Sequence, residues 1–358
     1  MPKKTGTVLV AMSGGVDSSV VAAILKKKGY DVVGVTLQIW QESQKDPRHA
    51  GCCSLGAVED ARRVARMLDI PHYVLNYKDR FKQTVIENFI DEYAAGRTPN
   101  PCVQCNKKVK FESMYETMQE LGCTHLATGH YARIRYSATT DRYRLLRSCG
   151  GKDQSYVLYM LDQERLAKTL FPLGEISEKA TTRQIAADYN LPVAHKPDSQ
   201  EICFVAEAGG YTEFLKKSRP EMFEGGEIVD SSGKKLGEHA GVAGFTVGQR
   251  RGIGVATGRP MFVLKLEPKE NRVIIGEEDE LLETEVPLED VFYSQPVDEP
   301  LRITAKIRYN MTPQPGMLVP GEKPKLVFKQ AVRAVTPGQI AVAYKGATVI
   351  AGGTICKR

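Results

Sequence analysis

A short apolar run at 7–12 passes directly into Ser13-Gly14-Gly15-Val16-Asp17-Ser18-Ser19, and a helix-period pattern at 16–28 begins inside that segment. A strand that turns on glycine and small hydroxyl residues into a helix must deliver the helix N-terminus to the carboxyl edge of a sheet. The flanking pattern extends the same rule. Segments 31–37 and 72–76, and a shorter one at 125–127, read as strands. Helical periodicity occupies 55–68, 81–95 and 108–121, then 163–170 and 179–189. Gly29 and Gly122 stand where helices end, and Ser177 is placed to cap the last of these helices. Strand–helix alternation of this kind predicts a parallel sheet covered on both faces.

The glycines let a ligand approach the backbone, and free amides at a helix start attract an anion. The segment is not a Walker loop, because no lysine follows the glycines at the required place, and Gly-x-Gly-x-x-Gly is absent. Ser-Gly-Gly-x-Asp-Ser resembles the pyrophosphate loop of the ATP-pyrophosphatase superfamily, whose members cleave ATP between its α- and β-phosphates and adenylate a substrate. The resemblance implies an adenine nucleotide alpha hydrolase-like (PP-loop) α/β domain. It assigns ATP to Ala11, Met12, Ser13, Gly14, Gly15, Val16, Asp17 and Ser18. It further places Leu37, at the end of the second strand, near the adenine, and Asp17 near a Mg2+ ion on the phosphates.

Cysteine is the second constraint. The chain has eight, and the apolar run behind Met1-Pro2-Lys3-Lys4 is too short for a secretory h-region or a membrane span. The expectation is a cytoplasmic protein, with no membrane association, whose thiols stay reduced and serve catalysis, metal binding or packing rather than disulfides. Cys102 and Cys105 sit in Thr98-Pro99-Asn100-Pro101-Cys102-Val103-Gln104-Cys105-Asn106-Lys107, where two prolines and an asparagine predict a rigid irregular loop. Lys107, Lys108 and Lys110 and a following helix start favour thiolate. Cys203 lies behind a predicted turn at Asp198-Ser199. Cys123, Cys149 and Cys356 have no such neighbours and read as core or incidental residues.

With Gly51-Cys52-Cys53-Ser54, Thr128-Gly129-His130-Tyr131, Lys152-Asp153-Gln154-Ser155-Tyr156, Gly248-Gln249-Arg250-Arg251-Gly252, Lys306-Ile307-Arg308-Tyr309 and Thr336-Pro337-Gly338-Gln339, these segments resemble the tRNA 2-thiouridylases over essentially the whole chain. The resemblance implies that Cys105 is the nucleophile and Cys203 carries a persulfide. Asn100 and Pro101 would meet the target base, and Gly129 the nucleotide. His130, Lys152, Asp153, Gln154, Arg308, Tyr309 and Gln339 would meet tRNA, with the Lys, Glu and Gln isoacceptors as substrates. A cysteine desulfurase or a sulfur-relay protein would supply sulfur. One branch of the family has Asp where this chain has Cys102. The resulting trio opens two chemistries. The expected one is a 4Fe-4S cluster on Cys102, Cys105 and Cys203 with one open iron that carries the sulfide, and the alternative is a persulfide relay through Cys203 and Cys105. Zinc wants four protein ligands, and no second close pair with metal-like spacing exists.

Beyond about Gly209 turn signals crowd and helical periodicity fades, with alternating segments at 262–266 and 272–275. From about Leu282, runs at 303–309, 325–328, 331–335, 340–344 and 348–351 read as strands of a small barrel. The expected organisation is a catalytic domain at 1–208, a mostly-β central domain at 209–281 and a C-terminal β-barrel at 282–358. The last two are read as tRNA-binding, with Arg250 and Arg251 in a flexible basic loop and Arg308-Tyr309 suited to stacking on an unpaired base. The formal net charge of +6 permits a nucleic-acid partner without establishing one. Two further classes stay open: a PP-loop ligase of small molecules, and a non-catalytic RNA-binding protein with a degenerate nucleotide loop.

Overall fold

A computed structural model describes residues 6–40, 55–198 and 202–356. The chain divides into two compact units. The first comprises residues 1–85, 102–207 and 347–349, and the second residues 86–101, 208–346 and 350–358.

In the first unit, β1 (Thr7–Ala11), β2 (Asp31–Gln38), β3 (His72–Asn76), β4 (His125–Ala127) and β7 (Thr169–Leu170) form a parallel sheet in the order β3-β2-β1-β4-β7. Val8 pairs with Val32 on one side of the central strand and His125 on the other. Being covered on both faces, β1 is apolar throughout its middle, and Val8, Leu9 and Val10 are fully buried. The helix Val16–Lys27 lays Val20, Val21 and Leu25 into the core that also takes Ala61 and Val64 of the helix Leu55–Met67. An antiparallel hairpin, β5 (Ala132–Ser137) and β6 (Arg142–Arg147), stands outside the parallel sheet, and Thr348 pairs with Leu146 of β6.

The predicted helices exist, with three differences. The segment read as helical over 163–170 is a helix only over Gln163–Ala167, and its end, Thr169–Leu170, is the edge strand β7. The segment read as one helix over 81–95 is a run of short pieces, Lys78–Phe81, a π-helical stretch Lys82–Ile86, and Glu87–Ala94. Glu178, extended at φ −130°, precedes the helix Lys179–Asp188, so Ser177 is not its cap residue.

The second unit holds two β-structures. One is a four-stranded sheet of β8 (Gly226–Asp230), β9 (Lys235–His239), β10 (Phe262–Glu267) and β11 (Arg272–Gly276) in the order β10-β11-β8-β9, over a core of Ile228, Val263, Val273 and Ile275. A helix at Tyr211–Ser218 precedes it, contrary to the expectation that helical structure ends near Gly209; eight residues offered too few turns for its period to register. The other is a closed barrel: β12 (Leu282–Tyr293), β15 (Lys325–Arg333), β14 (Gln314–Val319), β13 (Leu301–Lys306), β16 (Ile340–Lys345) and β17 (Thr348–Ile355), with β17 returning to β12. Segments 325–328 and 331–335 are one strand, not two. Lys329, Gln330 and Ala331 are all exposed where the β12–β15 register shifts, and a bulge breaks the alternation a sequence reader relies on. Among the described residues no helix is long and apolar enough to cross a membrane.

Candidate active site

The segment after β1 turns tightly because Gly14 adopts φ +68°, a left-handed conformation natural to glycine. A Cβ added there would lie 2.0 Å from the Ala57 carbonyl oxygen. Ser18 ties the turn together: its hydroxyl accepts from the Ser13 amide at 3.1 Å and donates to the Gly15 carbonyl at 3.2 Å. Lys196 Nζ donates to the Gly14 carbonyl at 3.0 Å and to Asp60 at 2.7 Å, fixing the loop from outside. The loop thus meets a helix N-terminus with its backbone already braced.

A cavity of about 200 Å³ opens beside it. Of the residues expected at ATP, Ala11, Met12, Ser13, Asp17, Ser18, Leu37 and Gly129 line it; Gly14, Gly15 and Val16 do not. Val35 and Ile39 join Leu37, because alternate residues of β2 and its extension face one side. That alternation was legible once Leu37 had been chosen. Lys110, Met114, Thr128, His130 and Gln154 complete the wall, so two residues expected at tRNA belong to this cavity. Gly129 is required by proximity: an added Cβ would sit 3.0 Å from both Asp17 Cβ and the Ser18 amide.

Asp17 does not stand open for a metal ion. Its carboxylate accepts from the Tyr131 hydroxyl at 2.8 Å, from Lys179 Nζ at 2.5 Å and from Lys152 Nζ at 3.3 Å. Asp198 takes the same two lysines, each at 3.0 Å, and Arg183 at 3.1 Å. Burial works against the Lys152 ammonium, yet Asp17 and Asp198 outweigh it and hold its pKa above the ordinary lysine value. Burial likewise opposes the Asp198 carboxylate, but Lys179 and Lys152 draw its pKa below the usual range. Lys152 therefore turns toward the phosphate loop. Asp153, 9% exposed, gives its oxygens to Arg147, the Ser148 amide and Ser155, and so braces its own segment.

His130 accepts or donates at Nδ1 with Thr128 Oγ1, 2.7 Å away, and packs against Phe111 and Phe171. Burial first, then the charges of Lys110 and Lys152, push its pKa down to about 3, so the ring is neutral at physiological pH. The unfolded chain, with the ordinary value of 6.5, takes up this proton first. Stability from this group is therefore lost as pH falls below that value, at up to about 1.4 kcal/mol per pH unit. Urea melts between pH 7 and 4.5 should show a shallower decline in His130→Asn; equal slopes would remove His130 as the source.

The stretch around Cys102 and Cys105 corrects the expectation of an irregular loop. Only 98–100 is irregular. A helical turn starts at Pro101, whose missing amide costs nothing at a helix start, and runs over Pro101–Gln104 into a π-helical stretch Cys105–Phe111 and the helix Glu112–Glu120. The widened turns bury Asn106, which donates from Nδ2 to the Val157 carbonyl at 3.0 Å. Cys102 is exposed and Cys105 is 7% exposed. Cys203, intermediate, opens the short helix Cys203–Glu207. Among the described residues, no three His, Cys, Asp or Glu side chains form a group able to hold a metal ion. Cys102, Cys105 and Cys203 are not gathered into such a group, so the described residues offer no assembled site that fits a 4Fe-4S cluster. Cys52, Cys53 and Ser199 lie outside the described residues.

One positioning contact was missed. Trp40, the chain's single tryptophan, follows the cavity residue Ile39 and donates from Nε1 to Glu207 Oε2 at 2.8 Å. Its ring lies 6.1 Å from that of Phe204, which also meets Phe81 at 5.8 Å. The Cys203 helix is thereby anchored to the strand that walls the cavity. A lone tryptophan past a strand end was the only sequence signal for it.

In the second unit, Asn100 is half-buried and Pro101 buried at the end of the 86–101 segment. Gln339 serves that segment: its amide donates to the carbonyls of Thr98, at 2.9 Å, and Pro99, at 3.4 Å. Arg308 donates to the Ala334 carbonyl and Thr336 Oγ1, while Tyr309 is 37% exposed beneath the Lys306 ammonium. Arg250 and Arg251 are exposed as expected, but their loop is held in shape. Gln249 accepts from the Thr246 amide and donates to the Arg251 carbonyl.

A model described as the tRNA methyl transferase HUP domain matches residues 6–207. Models of a tRNA methyl transferase PRC-barrel domain and an aminomethyltransferase β-barrel domain match 212–277 and 287–355. The tRNA-specific 2-thiouridylase MnmA of Clostridioides difficile (strain 630) is 47% identical over 355 residues, 98% of each chain. The chain belongs to the tRNA-specific 2-thiouridylase family. Another member, from Moorella thermoacetica, is 48% identical over 353 residues, covering 97% of this chain and 98% of its own. Among solved structures, a 4-thiouridine synthetase in complex with RNA and ATP matches at a TM-score of 0.35 and 18% identity over 60% of this chain and 51% of that one, too weakly to carry an argument.

Proposed function

We propose that this chain is a tRNA 2-thiouridylase that adenylates the C2 oxygen of a wobble uridine with MgATP and then replaces that oxygen with sulfur. The observation that carries the reading is the braced Ser13–Ser18 turn opening on a cavity walled by Leu37, Gly129 and His130. A uracil oxygen leaves poorly. Its attack on the α-phosphate expels pyrophosphate, and AMP then becomes the leaving group when sulfur adds at C2. Water must be kept from the adenylate, which the apolar wall of Val35, Leu37, Ile39 and Met114 favours.

Sulfur arrives, in this reading, as a persulfide on Cys203 loaded by a cysteine desulfurase or relay protein. Its terminal sulfur adds to C2. Cys105 thiolate attacks the inner sulfur, the S–S bond breaks, AMP departs, and a Cys105–Cys203 disulfide remains for a thiol reductant to reopen. Cys102 is a spectator, and no step passes through a cluster. Asn100 and Pro101 are read as the target-base contact, and Arg250, Arg251, Arg308 and Tyr309 as tRNA contacts. The organisation into 1–208, 209–281 and 282–358 follows the division between catalysis and tRNA grip. The Lys, Glu and Gln tRNAs are the proposed substrates, met in a reducing cytoplasm. A target uridine in an anticodon loop must leave its stack to react.

ATP–pyrophosphate exchange tests the reading. Exchange should require tRNA with an unmodified wobble uridine, and 2-thiouridine should appear when persulfide is supplied. Exchange driven by a small acid with no tRNA would establish a small-molecule ligase instead.

A further inference from the structure

The β5–β6 hairpin carries five arginines against one aspartate over 132–147. Its cross-strand pairs are Arg133 with Leu146, Arg135 with Arg144 and Ser137 with Arg142, so strand alternation sets Arg133, Arg135, Arg142 and Arg144 on one face. Ala132 and Leu145, both fully buried, occupy the other. One face thus concentrates guanidinium groups, with Arg135 exposed and Arg133, Arg142 and Arg144 half-buried, while the other is buried at Ala132 and Leu145 and leaves Tyr136 exposed at its tip.

Arg135 lies directly opposite Arg144, and like charges so placed destabilise an antiparallel pair. Acids nearby relieve this only in part. Asp141 is taken by the Tyr136 hydroxyl, on the other face. Glu175 pairs with Arg135 and, at 3.9 Å, with Arg133, and it is half-exposed. Side-chain exposure of Arg135 is 58%. None of these arginines lines the nucleotide cavity. A fold gains nothing from opposed arginines; a polyanion laid across them does, because each guanidinium can take a phosphate with two parallel hydrogen bonds.

We infer that the arginine face of the β5–β6 hairpin binds the tRNA phosphate backbone away from the target base, a second grip within the catalytic unit. The inference rests on the tRNA reading above. Contacts to phosphate fix register without reading sequence, so this face contributes to affinity for every tRNA and does not choose among them.

The test is tRNA binding by the full chain across a salt series. Each phosphate contact contributes a slope of about 0.9 in log K against log salt concentration, so Arg135→Ala/Arg144→Ala should lower the magnitude of the slope by roughly 1.8. The KM for tRNA should rise about tenfold while kcat stays within about twofold. Arg135→Lys/Arg144→Lys should restore most of the slope. The melting temperature of the alanine variant should be no lower than that of the parent, which separates lost contact from lost fold. An unchanged slope in a folded alanine variant overturns the inference and leaves the thiouridylase reading intact. Absence of tRNA binding by the parent chain would overturn both.

Discussion

Gly14→Ala is expected to reduce tRNA-dependent ATP–pyrophosphate exchange by about a hundredfold or more and to lower the melting temperature. The added Cβ meets the Ala57 carbonyl at 2.0 Å, and the φ of +68° disfavours any side chain. Left-handed backbone costs about 1–2 kcal/mol for a non-glycine residue, and overpacking adds about 1–3 kcal/mol. The clash is relieved only by moving the turn or the helix behind it, and displacement of about 1 Å in a positioning element costs on the order of a hundredfold in rate. Gly15→Ala is the control. Gly15 has φ −95°, and its Cβ would approach only Ser13 Oγ, at 3.5 Å, so its melting temperature should stay near that of the parent. Parent-like exchange by Gly14→Ala would mean that this turn does not hold the phosphates.

The second large effect separates the two half-reactions. Cys105→Ser and Cys203→Ser should each lower 2-thiouridine formation by roughly a thousandfold or more, because each removes one end of the sulfur exchange. Pyrophosphate exchange should persist in both, since neither thiol lines the cavity beside the Ser13–Ser18 turn. Cys102→Ser should thiolate within a few-fold of the parent. Equal loss in all three variants, with iron and acid-labile sulfide in anaerobically purified parent protein, would reinstate the cluster and refute the relay. Thiolation by Cys203→Ser at the parent's rate would exclude Cys203 as the carrier.

Local chemistry was legible wherever neighbours in sequence are also neighbours in space. The Ser13–Ser18 turn needs only a strand before it and a helix after it, and Leu37 faces the cavity because β2 pairs with β1 in parallel register. The block 152–154 illustrates the limit. Its three polar residues read as one surface patch, but each points differently. Lys152 goes to Asp17 and Asp198, Asp153 to Arg147 and Ser155, and Gln154 to the cavity and the Tyr131 amide. Periodicity carries no record of such divergence in irregular backbone. Gln339 is similar, since its partners Thr98 and Pro99 lie some 240 residues away. The two prolines and the asparagine of the 98–107 segment were read as forbidding regular structure, although Pro101 at the first position of a helix starts one.

From sequence alone came the class of the fold, the glycine turn between β1 and the first helix, and the family, because these depend on residue order over short spans and on motifs kept in register along the whole chain. Only the tertiary structure decided which charges meet: that Asp17 is closed off by Lys152 and Lys179, that Trp40 holds the Cys203 helix, and that Cys102 faces solvent while Cys105 is buried. Electrostatic pairing and burial fall off within a few ångströms, and distances on that scale between remote segments are set by packing, which no local pattern of residues records.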